Sequence, residues 1–313
     1  MKAGNPSATA YLIATSTLFM AADPDAGRLI PPRAVELSAS FVAARTRLAR
    51  RAQRELRRKS VRPFVSALER LTLPGIQLHY ALRKLYLEET ARAALSASGG
   101  IRQVVVFGAG YDTLALRLHE TFPSAQFIEI DHPDTQRRKT RALAAHLDSR
   151  LQRPQTPNLH FLPFDLTRPQ LAATLLNFAA YRTAAPTLFI AEGLLMYLSP
   201  LEVSRLLQTI RECSGARSRF AFTFMEPQAH GRVNFRTRSR AVDAWLSWRG
   251  ELFKWGIERD ALPVYLRERG FNLREIATDE TFRRRYLEPR RLAHLPLATG
   301  EYVCLADLEG RDV

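Results

Sequence analysis

The stretch that decides the fold of this chain is Val104-Val105-Val106-Phe107-Gly108-Ala109-Gly110-Tyr111-Asp112-Thr113. Its apolar, β-branched first half, followed by two glycines, predicts a buried parallel strand, a sharp turn and the start of a helix. Gly108 and Gly110 permit the turn and let a ligand approach the backbone closely, because glycine has no Cβ. Such a turn, at the carboxyl end of a strand, is where open α/β sheets bind nucleotide-like ligands.

The same turn indicates which kind of ligand it holds. Gly108-Ala109-Gly110 lacks the third glycine of the dinucleotide fingerprint, and Asp112 would repel a pyrophosphate. We therefore expect a ligand that carries adenosine without phosphates. A nicotinamide-dependent dehydrogenase on a similar sheet, which would bind a pyrophosphate here, is the less favoured alternative.

The middle of the chain alternates apolar strands with helical stretches, which predicts a doubly wound, mostly parallel α/β sheet with right-handed crossovers. The predicted strands are 102–107, 126–130, 159–163, 187–191, 220–224, 271–276 and 301–306. The predicted helices are 112–120, 133–147, 168–178, 200–213 and 260–269. We expect the last strand to close the sheet.

The chain divides into a helical N-terminal extension or lid at 1–100 and a catalytic domain at 101–313, which carries a basic helical insertion at about 225–260. Residues 8–22 are apolar and follow Lys2, as in a signal peptide, but threonines and a serine interrupt the run, so we favour an amphipathic first helix. No stretch is long or apolar enough to span a bilayer.

The composition of the chain indicates which binding partners and which cellular compartment to expect. The 313 residues carry a formal net charge of +15, which predicts attraction to anions such as nucleic acid, a membrane surface, an acidic protein or small acids. The two cysteines, Cys213 on a predicted helix and Cys304 in a predicted strand, show neither metal spacing nor a disulfide framework. This predicts a reducing, cytoplasmic location and no metal site.

Acidic residues follow three of the predicted strands. Asp131 could accept both hydroxyl hydrogens of a ribose, or its negative charge could interact favourably with the dipole of the next helix. Asp165 could accept from an adenine amino group while Leu166 covers the ring, or it could cap the next helix. Glu192 follows a buried strand, where an acid is costly without a partner, so we expect either a cationic ligand or an arginine of this chain beside it.

Four segments in register resemble the leucine carboxyl methyltransferase family of S-adenosylmethionine-dependent enzymes, particularly its bacterial polyketide-type O-methyltransferase branch. They are 107–113, 129–133, 165–166 and 191–198. The resemblance covers about residues 76–224 and is weak outside them. It implies the Rossmann-like, seven-stranded class I methyltransferase sheet, whose last strand runs antiparallel.

The resemblance also implies roles for single residues toward S-adenosyl-L-methionine. Arg83 would pair with the methionine carboxylate, and Glu192 would lie near the methionine end. Gly108 and Gly110 would approach the cofactor, Asp131 would hold the ribose, and Asp165 with Leu166 would hold the adenine. The chain departs from the family in two places: residues 14–18 lack the basic residue that family members usually carry in the first helix, and residues 167–176 lack the tryptophan that often follows the Asp-Leu pair.

These observations favour an O-methyltransferase that acts on a carboxylate of a small-molecule or carrier-bound acid. A carboxylate is already ionised at neutral pH and needs no general base, whereas a phenol or alcohol would. Tyr197 is the expected catalytic-site contact to the substrate, while His79 and His132 are better explained as structural. The alternatives are a methyltransferase for RNA or a protein C-terminus, which the charge favours, and a non-catalytic binding protein on the same fold.

Basic residues cluster at 45–62, 236–240 and 283–285. A solvated helix face explains the first cluster best, and binding of an acidic carrier protein, nucleic acid or an anionic substrate is the alternative. No recognisable nucleic-acid module accompanies the clusters. Several aromatic residues could roof a substrate pocket or simply pack: Phe235, Trp245, Trp248, Phe253 and Trp255.

Overall fold

The computed structural model describes residues 8–44, 62–148, 157–228, 231–236 and 253–309. Within them, seven strands form one sheet in the order β3-β2-β1-β4-β5-β7-β6. The strands are β1 Gln103–Phe107, β2 Gln126–Asp131, β3 Leu159–Pro163, β4 Thr187–Ala191, β5 Arg219–Met225, β6 Phe271–Ala277 and β7 Glu301–Leu308. Strands β1 to β5 pair in parallel, and β7 runs antiparallel to β5 and β6. This confirms the predicted sheet, including its antiparallel last strand.

Helices flank the sheet. The α-helices are α1 Ala8–Ala21, α2 Pro32–Ala43, α3 Arg62–Thr72, α4 Ile76–Ser96, α5 Leu114–Thr121, α6 Pro133–Asp148, α7 Leu171–Leu176, α8 Pro200–Cys213, α9 Leu262–Arg267 and α10 Asp279–Phe282. Local sequence sets their starts: Ser199 accepts from the Glu202 N–H, while the Glu202 carboxylate accepts from the Ser199 N–H, just before α8. None of the described helices combines the length and apolar character needed to cross a bilayer.

The sheet core shows the two-residue period of a strand buried on both faces. Val104 and Val106 of β1 belong to the apolar cluster on one face, whereas Val105 and Phe107 belong to the cluster on the other. Phe107 stacks on Phe189 of β4 at 5.9 Å between ring centroids. The strands therefore fix which residues lie at their carboxyl ends.

Some predicted helices are shorter in the structure. Helix α5 begins at Leu114 instead of residue 112, because Asp112 continues the glycine turn and accepts from the Leu114 N–H. The predicted helix 168–178 is reduced to α7, because the chain first turns at Asp165. The described part of 226–261 contains no α-helix and instead an antiparallel bridge between Pro227 and Val233. The rest of the expected helical insertion, 229–230 and 237–252, lies outside the described residues.

The N-terminal helices lie against the catalytic sheet. Phe41 of α2 stacks on Tyr111 of the glycine turn at 5.5 Å between centroids, and Leu82 of α4 shares an apolar cluster with Val104. The helix expected at residues 8–22 is present as α1, but its polar and apolar residues do not separate onto two faces, so the expectation that it is amphipathic is wrong. The division at residue 100 into two domains stays a prediction.

Gly75 allows α4 to begin close to a neighbouring loop. Its φ is +75°, and a Cβ there would lie 2.4 Å from the carbonyl of Pro296. Gly231 has a similar φ of +72°, but a Cβ there would meet nothing within 4 Å. Substitutions at Gly75 and Gly231 therefore separate the cost of backbone strain from the cost of a steric clash.

We predict that Gly75→Ala lowers the free energy of unfolding by several kcal/mol, because it adds a backbone clash to the strain of about 1–2 kcal/mol for a left-handed residue. Gly231→Ala should cost only the strain. Urea unfolding measures both, and equal losses in the two variants would contradict the close approach at Pro296.

Candidate functional site

A cavity lies at the carboxyl ends of β1 and β4, where the strand order reverses, and α1, α2 and α4 complete its walls. Its volume, about 240 Å³, is many times the space that one water occupies. All eight residues expected from the sequence line it: Arg83, Gly108, Gly110, Asp131, Asp165, Leu166, Glu192 and Tyr197. The structure thus brings the predicted site residues together.

The glycine turn lies against two other walls of the cavity. Gly108 and Gly110 have φ values of +62° and +48°, the left-handed region that favours glycine. A Cβ on Gly108 would lie 2.9 Å from Leu194 Cδ1, and one on Gly110 would lie 3.1 Å from Ala10 Cβ on α1. The two glycines therefore let α1 and the turn after β4 approach the end of β1.

Asp131 ends β2 and turns its carboxylate toward the glycine turn. It accepts hydrogen bonds from the backbone N–H of Gly110 and from that of His132, the latter at 2.6 Å. Burial raises the pKa of Asp131, and the two N–H groups oppose this shift. Each carboxylate oxygen has two lone pairs, so acceptor capacity remains for a ligand hydroxyl.

Asp165 does not cap a helix. Its Oδ1 accepts from the N–H of Thr167 at 3.1 Å and from the Thr167 hydroxyl at 2.8 Å, whereas α7 begins only at Leu171 with Gln170 before it. Burial acts to raise the pKa of Asp165, but the hydrogen bonds from Thr167 prevail and lower it. Asp165 and Leu166 line the cavity together.

Glu192 has the arginine partner that the sequence analysis offered as one explanation of a buried acid. Its Oε1 accepts from Arg83 Nε at 2.9 Å, and Arg83 NH2 lies 2.8 Å from the same oxygen. Its Oε2 accepts from Lys84 Nζ at 2.9 Å. Glu192 is therefore paired within the chain before any ligand is considered.

Arg83 joins Glu192 to a second buried carboxylate, which the sequence analysis missed. Arg83 NH1 donates to both carboxylate oxygens of Glu301, the first residue of β7, at 2.7 Å, and His79 Nε2 lies 2.8 Å from Glu301 Oε2. Burial acts to raise the pKa of Glu301, but Arg83 and His79 hold it at about 2. Glu301 lies 218 positions from Arg83, so no local pattern could have linked them.

Two lysines, also missed, neutralise the acids around the glycine turn. Lys84 Nζ lies 2.7 Å from Asp112 Oδ1, and Lys139 Nζ donates to the Asp112 carbonyl at 2.6 Å. Lys139 also lies 2.7 Å from Glu129 Oε2. Burial raises the pKa of Glu129 to about 7, against the opposing effect of Lys139. Glu129 is outside the cavity lining.

Tyr197 lies at an aromatic side of the cavity. Its ring meets Phe253 edge-on at 5.4 Å between centroids, and Phe253 meets Phe235 at 6.4 Å. Phe235 and Trp255 are buried, so packing explains both of them, whereas Trp245 and Trp248 lie outside the described residues. His79 is buried outside the cavity lining, and His132 lines the cavity beside Asp131.

Three of the described members of the basic clusters engage groups of this chain. Arg236 pairs with Glu226, Arg285 lies 2.8 Å from Glu89 Oε2, and Arg283 donates to two backbone carbonyls. Residues 45–61 and 237–240 lie outside the described residues. Across the described part of the chain, no group of three or more His, Cys, Asp or Glu residues could hold a metal ion.

Comparison with known proteins assigns the chain to a family. The model of the family described as leucine carboxyl methyltransferase matches residues 14–211. The chain belongs to this family. The leucine carboxyl methyltransferase match includes the second half of α1, the glycine turn and the acids at 131, 165 and 192, which confirms the family resemblance found in the sequence. It begins at residue 14, well before the range of about 76–224 that the sequence indicated.

Two relatives of this family member carry the provisional name of S-adenosyl-L-methionine-dependent methyltransferase. One, from Mycolicibacterium gilvum, is 31% identical over 202 residues, which is 62% of this chain and 62% of the relative. The other, from a Parafrankia species, is 34% identical over 200 residues, which is 63% of this chain and 59% of the relative. The match thus spans about three fifths of the length of these two relatives.

A solved structure has the same fold. The crystal structure of a protein from Thermobifida fusca, provisionally named a methyltransferase, superposes with a TM-score of 0.54 at 17% identity, and the match covers 87% of this chain and 94% of that one. At this identity the likeness establishes the fold alone, which is the expected class I methyltransferase sheet.

We predict that the Glu301 carboxylate makes stability depend on pH. Its pKa in the folded protein, about 2, lies below its ordinary value of 4.5, so its contribution is present above pH 4.5 and is lost as pH falls toward 2. Glu301→Gln should lower the free energy of unfolding at pH 7 by about 3–5 kcal/mol, since it removes one of the two carboxylate charges that pair with the buried Arg83.

Glu301→Gln should also flatten the decline between pH 4.5 and 2, and denaturant unfolding at several pH values measures both effects. Glu268→Gln, which removes an exposed carboxylate, is the control and should leave the profile of the wild type. An unchanged acid slope in Glu301→Gln would contradict the assignment of this pH dependence to Glu301.

Proposed function

We propose that this protein is an S-adenosyl-L-methionine-dependent O-methyltransferase that methylates a carboxylate of a small-molecule or carrier-bound acid. Membership of the leucine carboxyl methyltransferase family and the names of the relatives support the cofactor. The observation that carries the proposal is a cavity at the strand-order reversal whose glycine turn is flanked by acids.

The residues present fit this cofactor better than a phosphorylated one. Asp131 stands beside the glycine turn, where its carboxylate would repel a diphosphate. The described residues that line the cavity include five carboxylates and four Lys or Arg side chains, a formal charge of −1 in a chain of +15. A zwitterionic amino acid joined to a sulfonium carries a net positive charge and complements such a lining.

Each site residue has a proposed role toward the cofactor. Asp131 accepts from the ribose hydroxyls with its remaining lone pairs, and Asp165 and Leu166 hold the adenine. Arg83 contributes positive charge near the methionine carboxylate, and Glu192 contributes negative charge near the methionine end. When bound, S-adenosylmethionine supplies an electrophilic methyl group on sulfur.

The protein contributes mainly proximity and orientation to the transfer. An acceptor carboxylate is ionised at neutral pH, so no side chain has to remove a proton from it. The Tyr197 hydroxyl is proposed to hold the acceptor, since Tyr197 lines the cavity four residues after the Glu192-Gly193 turn. Helix α1 lies over the glycine turn and restricts access of water to this end of the cavity.

We predict that Asp131→Ala weakens binding of S-adenosylhomocysteine by about 1–3 kcal/mol, the usual loss for a hydrogen bond to a charged group. Isothermal titration calorimetry measures the affinity. Asp134→Ala is the matched control, because Asp134 lies three residues further along and pairs with Arg137 outside the cavity lining. Equal affinities in the two variants would refute the assignment of Asp131.

We predict that Tyr197→Phe raises the KM for the acid acceptor by about tenfold and leaves the cofactor affinity unchanged, because it removes one hydrogen bond to the acceptor. Steady-state kinetics and calorimetry separate the two quantities. A variant that loses cofactor affinity instead would move Tyr197 from the acceptor to the cofactor.

The proposal as a whole is tested by mass spectrometry of the purified protein for retained adenosyl ligand, followed by a methyl-transfer screen over organic acids. Methyl esters that form with labelled cofactor are the expected result. Transfer to RNA instead, with an activity that falls steeply with salt, would support the alternative substrate. Binding of the cofactor without transfer to any acceptor class would favour a binding protein.

A further inference from the structure

Lys84 of α4 connects the two turns that border the cavity at the strand-order reversal. Its Nζ lies 2.7 Å from Asp112 Oδ1, in the turn after β1, and 2.9 Å from Glu192 Oε2, in the turn after β4. Strands β1 and β4 are neighbours in the sheet, and ligands of open α/β sheets bind at this crevice. Lys84 is therefore a cation placed directly over the ligand crevice.

Lys84 and Arg83 alternate with three carboxylates in one continuous ion cluster. The order is Glu301, Arg83, Glu192, Lys84 and Asp112, and it runs from the buried end at β7 to the cavity. The Arg83 side chain is 3% exposed, whereas that of Lys84 is 24% exposed. Lys84 is thus the more accessible of the two cations in the cluster.

The hydrogen-bond donors of the two cations also indicate Lys84 as the residue that can bind a ligand. Arg83 directs Nε to Glu192 and Nη1 to both carboxylate oxygens of Glu301, and its Nη2 also lies against Glu192, so each of its three nitrogens already contacts a carboxylate of the chain. The Lys84 ammonium has three hydrogens, of which two point to Asp112 and Glu192. Among the described residues the third has no acceptor, and Lys84 lines the cavity.

We propose that Lys84 Nζ binds the carboxylate of the amino-acid group of the cofactor, with Arg83 behind it as a buried support. This inference rests on the proposed function and adds a binding residue to it. The cluster holds three carboxylates and two cations, so its net charge is negative and does not attract a free anion. An amino-acid group brings a carboxylate and an ammonium together and leaves this balance unchanged.

The test compares S-adenosylmethionine with decarboxylated S-adenosylmethionine, which keeps the sulfonium and the ammonium and lacks only the carboxylate. Calorimetry should show that the wild type binds S-adenosylmethionine about ten- to a hundredfold more tightly, the value of one charged hydrogen bond. Lys84→Met should reduce this preference to about threefold or less. Its affinity for the decarboxylated ligand should change little.

Two control variants test whether the effect depends on a positive charge at position 84. Lys84→Arg keeps a cation at the position and should keep most of the preference. Arg92→Met removes a cation of the same helix, one that pairs with Glu88 and does not line the cavity, and should leave the preference intact. Thermal unfolding checks that each variant is folded, and Lys84→Gln replaces Lys84→Met if the latter is not.

The outcomes separate this inference from the proposed function. If Lys84→Met weakens both ligands by the same factor, Lys84 only connects the two turns and the inference is overturned. If the wild type binds neither ligand, the proposed function itself fails. A preserved preference in Lys84→Met would likewise reject Lys84 as the carboxylate partner.

Discussion

The buried guanidinium of Arg83 connects three parts of the fold that are far apart in the sequence. It lies on α4, pairs with Glu192 after β4, and pairs with Glu301 at the start of β7. Charges taken out of water at this depth are tolerated only when their partners are in place, and the removal of one partner costs about 3–5 kcal/mol. The position of β7, the turn after β4 and the floor of the cavity are therefore linked through one side chain.

The packing of the strands on both faces of the sheet determines where the ion pairs of Arg83 can form. Residues of β1 face the two apolar clusters in turn, so the sheet is fixed by packing on both sides. At the carboxyl ends of the strands, Asp131, Asp165 and Glu192 emerge beside the glycine turn and line the cavity. A ligand in this crevice is met by hydrogen-bond acceptors and not by a phosphate cradle, which is the physical basis of the proposed cofactor.

The charge of the molecule is distributed unevenly. The chain carries +15, yet the described residues that line the cavity carry more carboxylates than cations. Within the described residues, arginines outside the cavity such as Arg236 and Arg285 pair with carboxylates of the chain. The lining of the cavity thus complements a cationic cofactor. The basic residues elsewhere in the chain relate instead to the nature of the acceptor or partner.

The sequence by itself determined the local features. The run Val104–Phe107 with Gly108 and Gly110 identified the central strand and its turn, because strand period and glycine conformation depend on neighbouring residues only. Acids placed directly after strands could be recognised for the same reason, and all eight expected site residues line one cavity. The four segments in register also carried the family resemblance that the family match confirmed.

Only the tertiary structure decided which groups meet. Lys84 and Glu301 look like ordinary charged residues in the sequence, and their roles arise from pairs with Asp112 and Arg83 across 28 and 218 positions. Helix lengths changed as well, since Asp165 turns the chain through Thr167 before α7 can begin. Burial determines the charge pairs, because the environment of a charge depends on elements that fold against it from elsewhere in the chain.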